Sequence, residues 1–226
     1  MLYAAPPVEG NPDVVLVPLT RIWPAAVTAT ACAALTAWNA VVRVGKIKAG
    51  DTVLTLGTGG VSVFALQFAK MHGARVIATS GSDDKLARIR ALGADETINY
   101  KTTPEWDREV FRLTRGLGVD QVVEVGGAGT LPRSINATRM EGLISLIGVL
   151  ARGEGVDPMK ILMKSLQVKG IFVGSLEMFE QMNRAVAESK LKPVIDKTFS
   201  FAQAPEALKY LENGSHFGKI VIQIKG

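Results

Sequence analysis

Val53-Leu54-Thr55-Leu56-Gly57-Thr58-Gly59-Gly60-Val61-Ser62 decides the fold. Its first four residues are a short apolar, β-branched run, the pattern of a strand buried on both faces. A glycine turn follows at once. Val63 to Met71 then continues as an apolar helix closed by Gly73, and Arg75-Val76-Ile77-Ala78-Thr79 reads as a second buried strand. A strand, glycine turn, helix and parallel strand in this order suit a nucleotide pyrophosphate. The glycines let the backbone approach the phosphates, and the helix N-terminus offers free N–H groups with a partial positive charge. Gly57, Gly59 and Gly60 are the glycines of the turn, with Val61 beside them. Ser62 stands in the third glycine place of a Gly-x-Gly-x-x-Gly pattern and is small enough for close helix–sheet packing.

Outward from this unit the rhythm repeats. Ser82 or Asp83 caps a helix with Leu86, Ile89 and Leu92 facing inward, and Gly93 ends it. Thr97 to Tyr100 reads as a third strand, and Thr103 as the cap of a helix with Pro104 at its first position and Trp106, Val110 and Leu113 on one face. Further strands are expected at Val119 to Val125, Gly142 to Val149 and Val168 to Val173. Helices are expected at Thr130 to Thr138, Pro158 to Lys164 and Met178 to Ser189. Such alternation implies an α/β fold, a doubly wound parallel sheet of the Rossmann type. Gly126, Gly148 and Gly174 fall at strand ends and belong to the carboxyl edge, where these sheets take ligands. Ahead of the sheet, residues 1–24 are proline-rich and aperiodic, and Ala25 to Val44 reads as a helix. After it, residues 193–226 form a return segment: an extended stretch, a small helix over Ala204 to Asn213 and a closing strand over Lys219 to Ile224.

The 226 residues carry a net charge of +5, with basic residues scattered and no interleaved aromatics, which argues against a nucleic-acid surface. Pro24 to Val42 is apolar, but Asn39 and Arg43 mark it as a packed helix rather than a membrane span. One cysteine excludes an internal disulfide framework, and no signal peptide opens the chain, so a reducing, cytoplasmic location is expected.

Together, Cys32-Ala33-Ala34-Leu35-Thr36-Ala37-Trp38, Gly50-Asp51-Thr52-Val53-Leu54, the glycine turn, Leu92-Gly93-Ala94-Asp95, Ile98-Asn99-Tyr100, Gly118-Val119-Asp120 and His216-Phe217-Gly218-Lys219-Ile220-Val221 resemble the medium-chain dehydrogenase/reductase superfamily. The likeness is to its zinc-type alcohol dehydrogenase-like branch, near the quinone oxidoreductases, over roughly residues 28–226. It implies NAD(P)-dependent hydride transfer between a nicotinamide and a small-molecule alcohol, carbonyl or activated alkene. A non-catalytic dinucleotide-binding module is the alternative, and a methyltransferase a more distant one. Members open with a GroES-like catalytic domain. A domain needs roughly 100 residues, so residues 1–24 are expected to match only the tail of one, and no catalytic proton donor is named.

The family also implies positions. Cys32 resembles the third ligand of a catalytic zinc, but such zinc needs about three protein ligands. His72 and His216 stand in unrelated places, so a free buried thiol and no metal are expected. The cofactor is read at the end of the second strand. NAD sites place a carboxylate there for the ribose hydroxyls, whereas this chain has Ser80, 23 residues after Gly57. Lys85 and Tyr100 resemble a lysine–tyrosine pair that holds a 2′-phosphate. NADP is therefore favoured, with NAD open because Asp83 or Asp84 could reach a ribose. By likeness Gly126, with Val125, lies near the adenosine ribose. Ile147, Gly148, Val149, Phe172 and Val173 lie beside the nicotinamide, and Gly218 and Lys219 close over the phosphates. Glu124 reads as a buried, paired carboxylate without a catalytic role. Homologues pair through the sixth strand, so a homodimer joined at Gln167 to Val173 is expected.

Overall fold

The computed structural model describes residues 32–148 and 155–223. The expectations for residues 1–24, for the start of the first helix and for Val149 lie outside these residues. Six strands form one parallel sheet: β1 (Thr52–Leu56), β2 (Arg75–Ser80), β3 (Glu96–Asn99), β4 (Val119–Glu124), β5 (Thr138–Leu146) and β6 (Gln167–Gly170). Their spatial order is β3-β2-β1-β4-β5-β6. The chain therefore reverses direction between β1 and β4, and the crevice above that switch point is where such sheets bind ligands.

Helices cover both faces. Helix α1 (Ala33–Trp38) precedes β1, α2 (Gly60–Met71) links β1 to β2, and α3 (Asp83–Ala91) links β2 to β3. Helices α4 (Trp106–Leu113), α5 (Leu131–Ala137), α6 (Pro158–Met163) and α7 (Leu176–Glu188) follow in order. Alternate residues of one strand feed opposite layers. Val53 joins the core with Trp38, Phe64, Phe68 and Met182, while Leu54 and Leu56 join Ile77, Ile98, Trp106 and Ile135. Trp38 meets Phe68 edge-on, ring centroids 5.3 Å apart.

Strands β7 (Ile195–Ser200) and β8 (Lys219–Gln223) pair in parallel as a separate two-stranded sheet, joined by α8 (Ala204–Glu212). This return segment docks on the main sheet. Gly59 and Gly218 form an isolated parallel bridge, with Gly218 N donating to Thr58 O at 2.9 Å.

Several boundaries differ from the sequence reading. Helix α4 starts at Trp106, because residues 101–105 are spent in a turn where Thr103 N donates to Asn99 O. Strand β5 starts at Thr138 rather than Gly142: its buried hydroxyl donates to Ser134 O, and a register shift opposite Val119 absorbs Glu141 at φ +58°. It ends at Leu146, and β6 stops at Gly170. The ladder closes with Ile171 N on Leu146 O, so Phe172 has no neighbouring strand and is 96% exposed. Asn39 to Val44 is π-helical; Gly45 N reaches back to Ala40 O, which also accepts from the buried Gln121 Nε2 at 2.7 Å.

Candidate functional site

The first turn follows from β1's burial. Leu56 ends the strand, Gly57 adopts φ +73°, a left-handed conformation an L side chain would strain, and α2 begins at Gly60. Gly57 and Gly59 have open space where a Cβ would stand. That space is the floor of a cleft of about 320 Å³ at the carboxyl edge. Beside the turn Gly57-Thr58-Gly59, the cleft is lined by Ser80-Gly81-Ser82 with Lys85, by Tyr100 and Lys101, and by Gly214 and His216 of the return segment.

The cleft thus gathers five of the residues singled out from the sequence: Gly57, Gly59, Ser80, Lys85 and Tyr100. Ser80 is buried, and its Oγ accepts from Ser82 N at 3.3 Å, leaving its own proton for another acceptor. Lys85 donates to Gly214 O at 2.7 Å, tying α3 to the return segment while its remaining ammonium protons stay free to donate elsewhere. Tyr100 lies just past β3 and packs its ring on Gly81, where a Cβ would come within 2.8 Å of it. Among the described residues no carboxylate lines this cleft. Asp83 is instead bonded by Asn99 Nδ2 at 2.7 Å, and neither it nor Asp84 is a wall residue.

Around the first turn of α2 the placement is mixed. Lys219 lies across Gly60, its Cδ only 2.5 Å from where a Cβ would stand, so any larger residue there would displace the lysine. Val61 is half-buried. Ser62 is turned inward, its hydroxyl donating to Leu56 O at 2.6 Å, so it locks the helix to the strand end and has no free face toward the cleft.

Gly126, Ile147 and Gly148 lie apart from this cleft, at the ends of β4 and β5. Ile147 N and Gly148 N both donate to Glu124 O, and a Cβ on Gly148 would run into the Val125 carbonyl. The buried Glu124 carboxylate organises the turn: it accepts from Gly126 N at 2.8 Å, Gly127 N at 3.0 Å, Thr130 Oγ1 at 2.6 Å and the Ser134 hydroxyl. Phe172 and Val173 follow β6. Val173 sits at φ +47°, rare for a β-branched residue, and Asn39 Nδ2 holds its carbonyl at 2.9 Å.

The return segment carries its own polar knot. Asp196 is paired with Arg88 at 2.8 Å and accepts from Tyr210 Oη at 2.7 Å and Phe217 N at 3.2 Å, while the Arg88 guanidinium lies 4.1 Å over the Phe217 ring. Burial alone would raise this carboxyl, but the bonds from Tyr210 and Arg88 hold it below the ordinary value. His216, beside it, has its pKa lowered by burial and by Lys85. Thr58, Gly81, Ser82, Lys101 and Gly214 line the cleft without having been read as site residues from the sequence, and His216, which stands just before Gly218 and Lys219, joins them.

Cys32 is exposed, not buried, because it precedes α1 instead of lying on that helix's covered face. Among the described residues no group of three His, Cys, Asp or Glu side chains is placed to hold a metal ion. Cys32 is the chain's single cysteine, so the described residues do not fit a catalytic zinc.

Comparison with known proteins agrees with this architecture. A family model described as zinc-binding dehydrogenase matches residues 60–188, more than half of the chain. A zinc-type alcohol dehydrogenase-like protein of Schizosaccharomyces pombe is 46% identical over 201 residues, 85% of this chain and 58% of that protein. The zinc-type alcohol dehydrogenase-like protein YogA of Leptosphaeria maculans is 33% identical over 203 residues, covering 85% of this chain and 56% of that protein. Among solved structures, a NAD-dependent alcohol dehydrogenase is similar with a TM-score of 0.85 and 39% identity, over 93% of this chain and 62% of that one. The chain spans less than two thirds of the length of these relatives. Its glycine turn, strand order and matched core make it a member of the zinc-binding dehydrogenase family, within the medium-chain dehydrogenase/reductase superfamily.

Proposed function

We propose that this chain binds NADP(H) in the cleft above β1 and β2 and serves as the cofactor-binding part of an oxidoreductase acting on a small alcohol, carbonyl or activated alkene. The observation that carries the reading is a cleft lined by the glycine turn and two lysines, with no carboxylate among the described residues that line it. Gly59 to Val61, at the start of α2, face the pyrophosphate, where free N–H groups and the helix dipole favour negative charge. Lys219 closes over them from β8. Ser80 donates to a 2′-phosphate that an aspartate would repel, with Lys85 and Tyr100 beside it. Gly126, Ile147, Gly148, Phe172 and Val173 are assigned to the ribose–nicotinamide half, supported by their places just past the ends of β4, β5 and β6, and Val149, outside the described residues, is assigned with them by likeness alone. The bound nicotinamide supplies the hydride at C4, and the protein fixes which face it presents.

NAD is a second reading, favoured by the NAD-dependent relative. Fluorescence titration with NADPH and NADH, on the wild-type chain and Ser80→Asp, separates the two. NADPH binding about tenfold tighter than NADH, lost in Ser80→Asp, supports the proposal. A preference for NADH in the wild type supports the second reading, and binding of neither nucleotide refutes both.

A homodimer through β6 belongs to the same proposal. All four residues of this edge strand are exposed, Val168 among them, and so are Leu162, Met163 and Phe172 nearby. A monomer by light scattering would refute it. A cytoplasmic location is proposed as well, supported by the single cysteine. Among the described residues no helix is long and apolar enough to cross a membrane.

A further inference from the structure

We propose that a cleft at the amino edge of the sheet is a second ligand site, which takes a small organic phosphate through the guanidiniums of Arg75, Arg115 and Arg139. Thr52 opens β1, Arg75 opens β2, Gly118 immediately precedes β4 and Arg139 is the second residue of β5. The nucleotide cleft lies past the far ends of β1 and β2. The two clefts are therefore at opposite ends of the same strands, and this site is independent of the dinucleotide reading.

The lining is basic. The cleft holds about 450 Å³, and among the described residues that line it three arginines face a single carboxylate, Asp120. Both oxygens of that carboxylate are taken: Thr52 N donates to Oδ2 at 2.7 Å and Arg139 Nε to Oδ1 at 2.6 Å. Helix α4 ends beside the cleft, where free carbonyls would repel an anion. Its last carbonyls are already occupied, Phe111 O by Gly116 N, Arg112 O by Arg115 N and Leu113 O by Arg75 Nη1 at 3.0 Å. Donors remain. Arg139 spends Nε on Asp120 and Nη1 on Met140 O, which leaves Nη2. Arg75 Nη2 has only a long contact of 3.3 Å to Glu96, which does not line the cleft. Arg115 is exposed and pairs with no carboxylate among the described residues.

Arg115 also stands where an arginine is costly. Thr114 caps α4, and the next residue adopts φ +54°, a left-handed position that helices usually give to glycine. Gly116 and Gly118 follow at φ +83° and +85°. The loop is tied down: Leu117 N donates to Thr114 O and Gly118 N to Thr114 Oγ1 at 2.9 Å, and a Cβ on Gly118 would lie 2.7 Å from Ala137 O. A strained residue kept in a fixed loop beside a cleft is the arrangement expected of a ligand contact. The ligand's class follows from the lining. Planar guanidiniums hold phosphate oxygens in parallel pairs, and three of them suit a dianion better than a carboxylate. The cleft is too roomy for inorganic phosphate alone, and Leu113 and Leu117 offer apolar contact to an attached organic group.

The test titrates the full, isotope-labelled chain with phenyl phosphate at low salt and follows backbone amide shifts. The expected result is a dissociation constant of about 1 mM or tighter, with the amides of Thr52, Arg115, Gly116, Leu117, Gly118 and Asp120 moving, whether or not those of Gly57 and Ser80 move as well. Shifts confined to the nucleotide cleft, or no saturation by about 20 mM, overturn the proposal. Benzoate, a monoanion on the same ring, should bind at least about fivefold more weakly; equal affinity refutes the phosphate class. Arg115→Gly gives the second arm. Glycine relieves the left-handed strain, so the thermal midpoint should rise while phenyl phosphate binding weakens about tenfold. Unchanged affinity in the variant refutes the site. A lowered thermal midpoint would show that Arg115 serves the fold, and it too refutes the proposal. Failure of the chain to bind NADPH would leave each of these readouts intact.

Discussion

Removing the Glu124 carboxylate should unfasten the carboxyl end of β4. Four donors converge on it: Gly126 N, Gly127 N, Thr130 Oγ1 and the Ser134 hydroxyl. In Glu124→Ala these donors fare differently. Gly126 is half-buried and its N–H regains water, and Thr130 Oγ1 already lies 3.3 Å from Gly127 O and falls back on it. Gly127 N and the Ser134 hydroxyl are buried and stay orphaned, at about 1–3 kcal/mol each. The emptied volume adds roughly 1 kcal/mol, so the loss should be about 5 kcal/mol. Glu124→Gln keeps one carbonyl oxygen for the two glycine N–H groups, and its amide can donate to a rotated Ser134 hydroxyl. Its loss should be about 1 kcal/mol. Urea unfolding followed by far-ultraviolet circular dichroism at pH 7 measures both, with an unchanged m-value as the sign that only stability moved. An alanine variant within about 1 kcal/mol of wild type, or a glutamine variant as damaged as the alanine, would refute this accounting.

Other consequences follow from the return segment and the titrating groups. Asp196→Ala should cost about 2–3 kcal/mol by stranding Arg88, Tyr210 Oη and Phe217 N. It should also weaken NADPH binding by loosening Gly218 and Lys219; a stability loss with unchanged affinity would show that the knot does not set the closure. Asp107, which burial alone would raise, is held below the ordinary value of 3.8 by Asn136 and Arg133. Its stabilisation is therefore complete above the unfolded carboxyl value near 3.8 and is lost as pH falls through the lower folded one. His216 acts earlier. Its folded value lies below 6.5, so the unfolded chain takes up the proton first and stability declines as pH drops beneath 6.5. Unfolding free energies at pH 7, 5.5 and 3.5 should fall in that order, with a smaller first drop in His216→Gln; an equal first drop in both proteins would contradict the assignment. Gly81→Val should push the Tyr100 ring off its seat and weaken NADPH binding several-fold with little change in thermal stability. An unchanged affinity would remove Tyr100 from the site.

What the sequence made legible follows contact range. β1, the glycine turn, α2 and β2 are adjacent in the chain, and their apolar runs and glycines are local signals, so this unit and the sheet class were readable from residues 53–80. The Glu124 cluster is also local, with every partner within ten residues. Strand ends were harder, because pairing decides them. Nothing near Gly142 shows that Thr138 already pairs with Val119, and nothing near Phe172 shows that β5 has ended at Leu146. The π-helical turn at Asn39 to Val44 depends on Gln121, some eighty residues away. His216 entered the cleft only through the Gly59–Gly218 bridge. The exposed Cys32 was misread because a residue just ahead of a helix shares its sequence context but not its burial.

The most direct measurement is a crystal structure of this chain grown with NADPH. The account predicts the pyrophosphate against Gly59, Gly60 and Val61 beneath Lys219, and the 2′-phosphate among Ser80, Lys85 and Tyr100 with no carboxylate in contact. A nucleotide bound elsewhere, or its ribose held by Asp83 or Asp84, would contradict it.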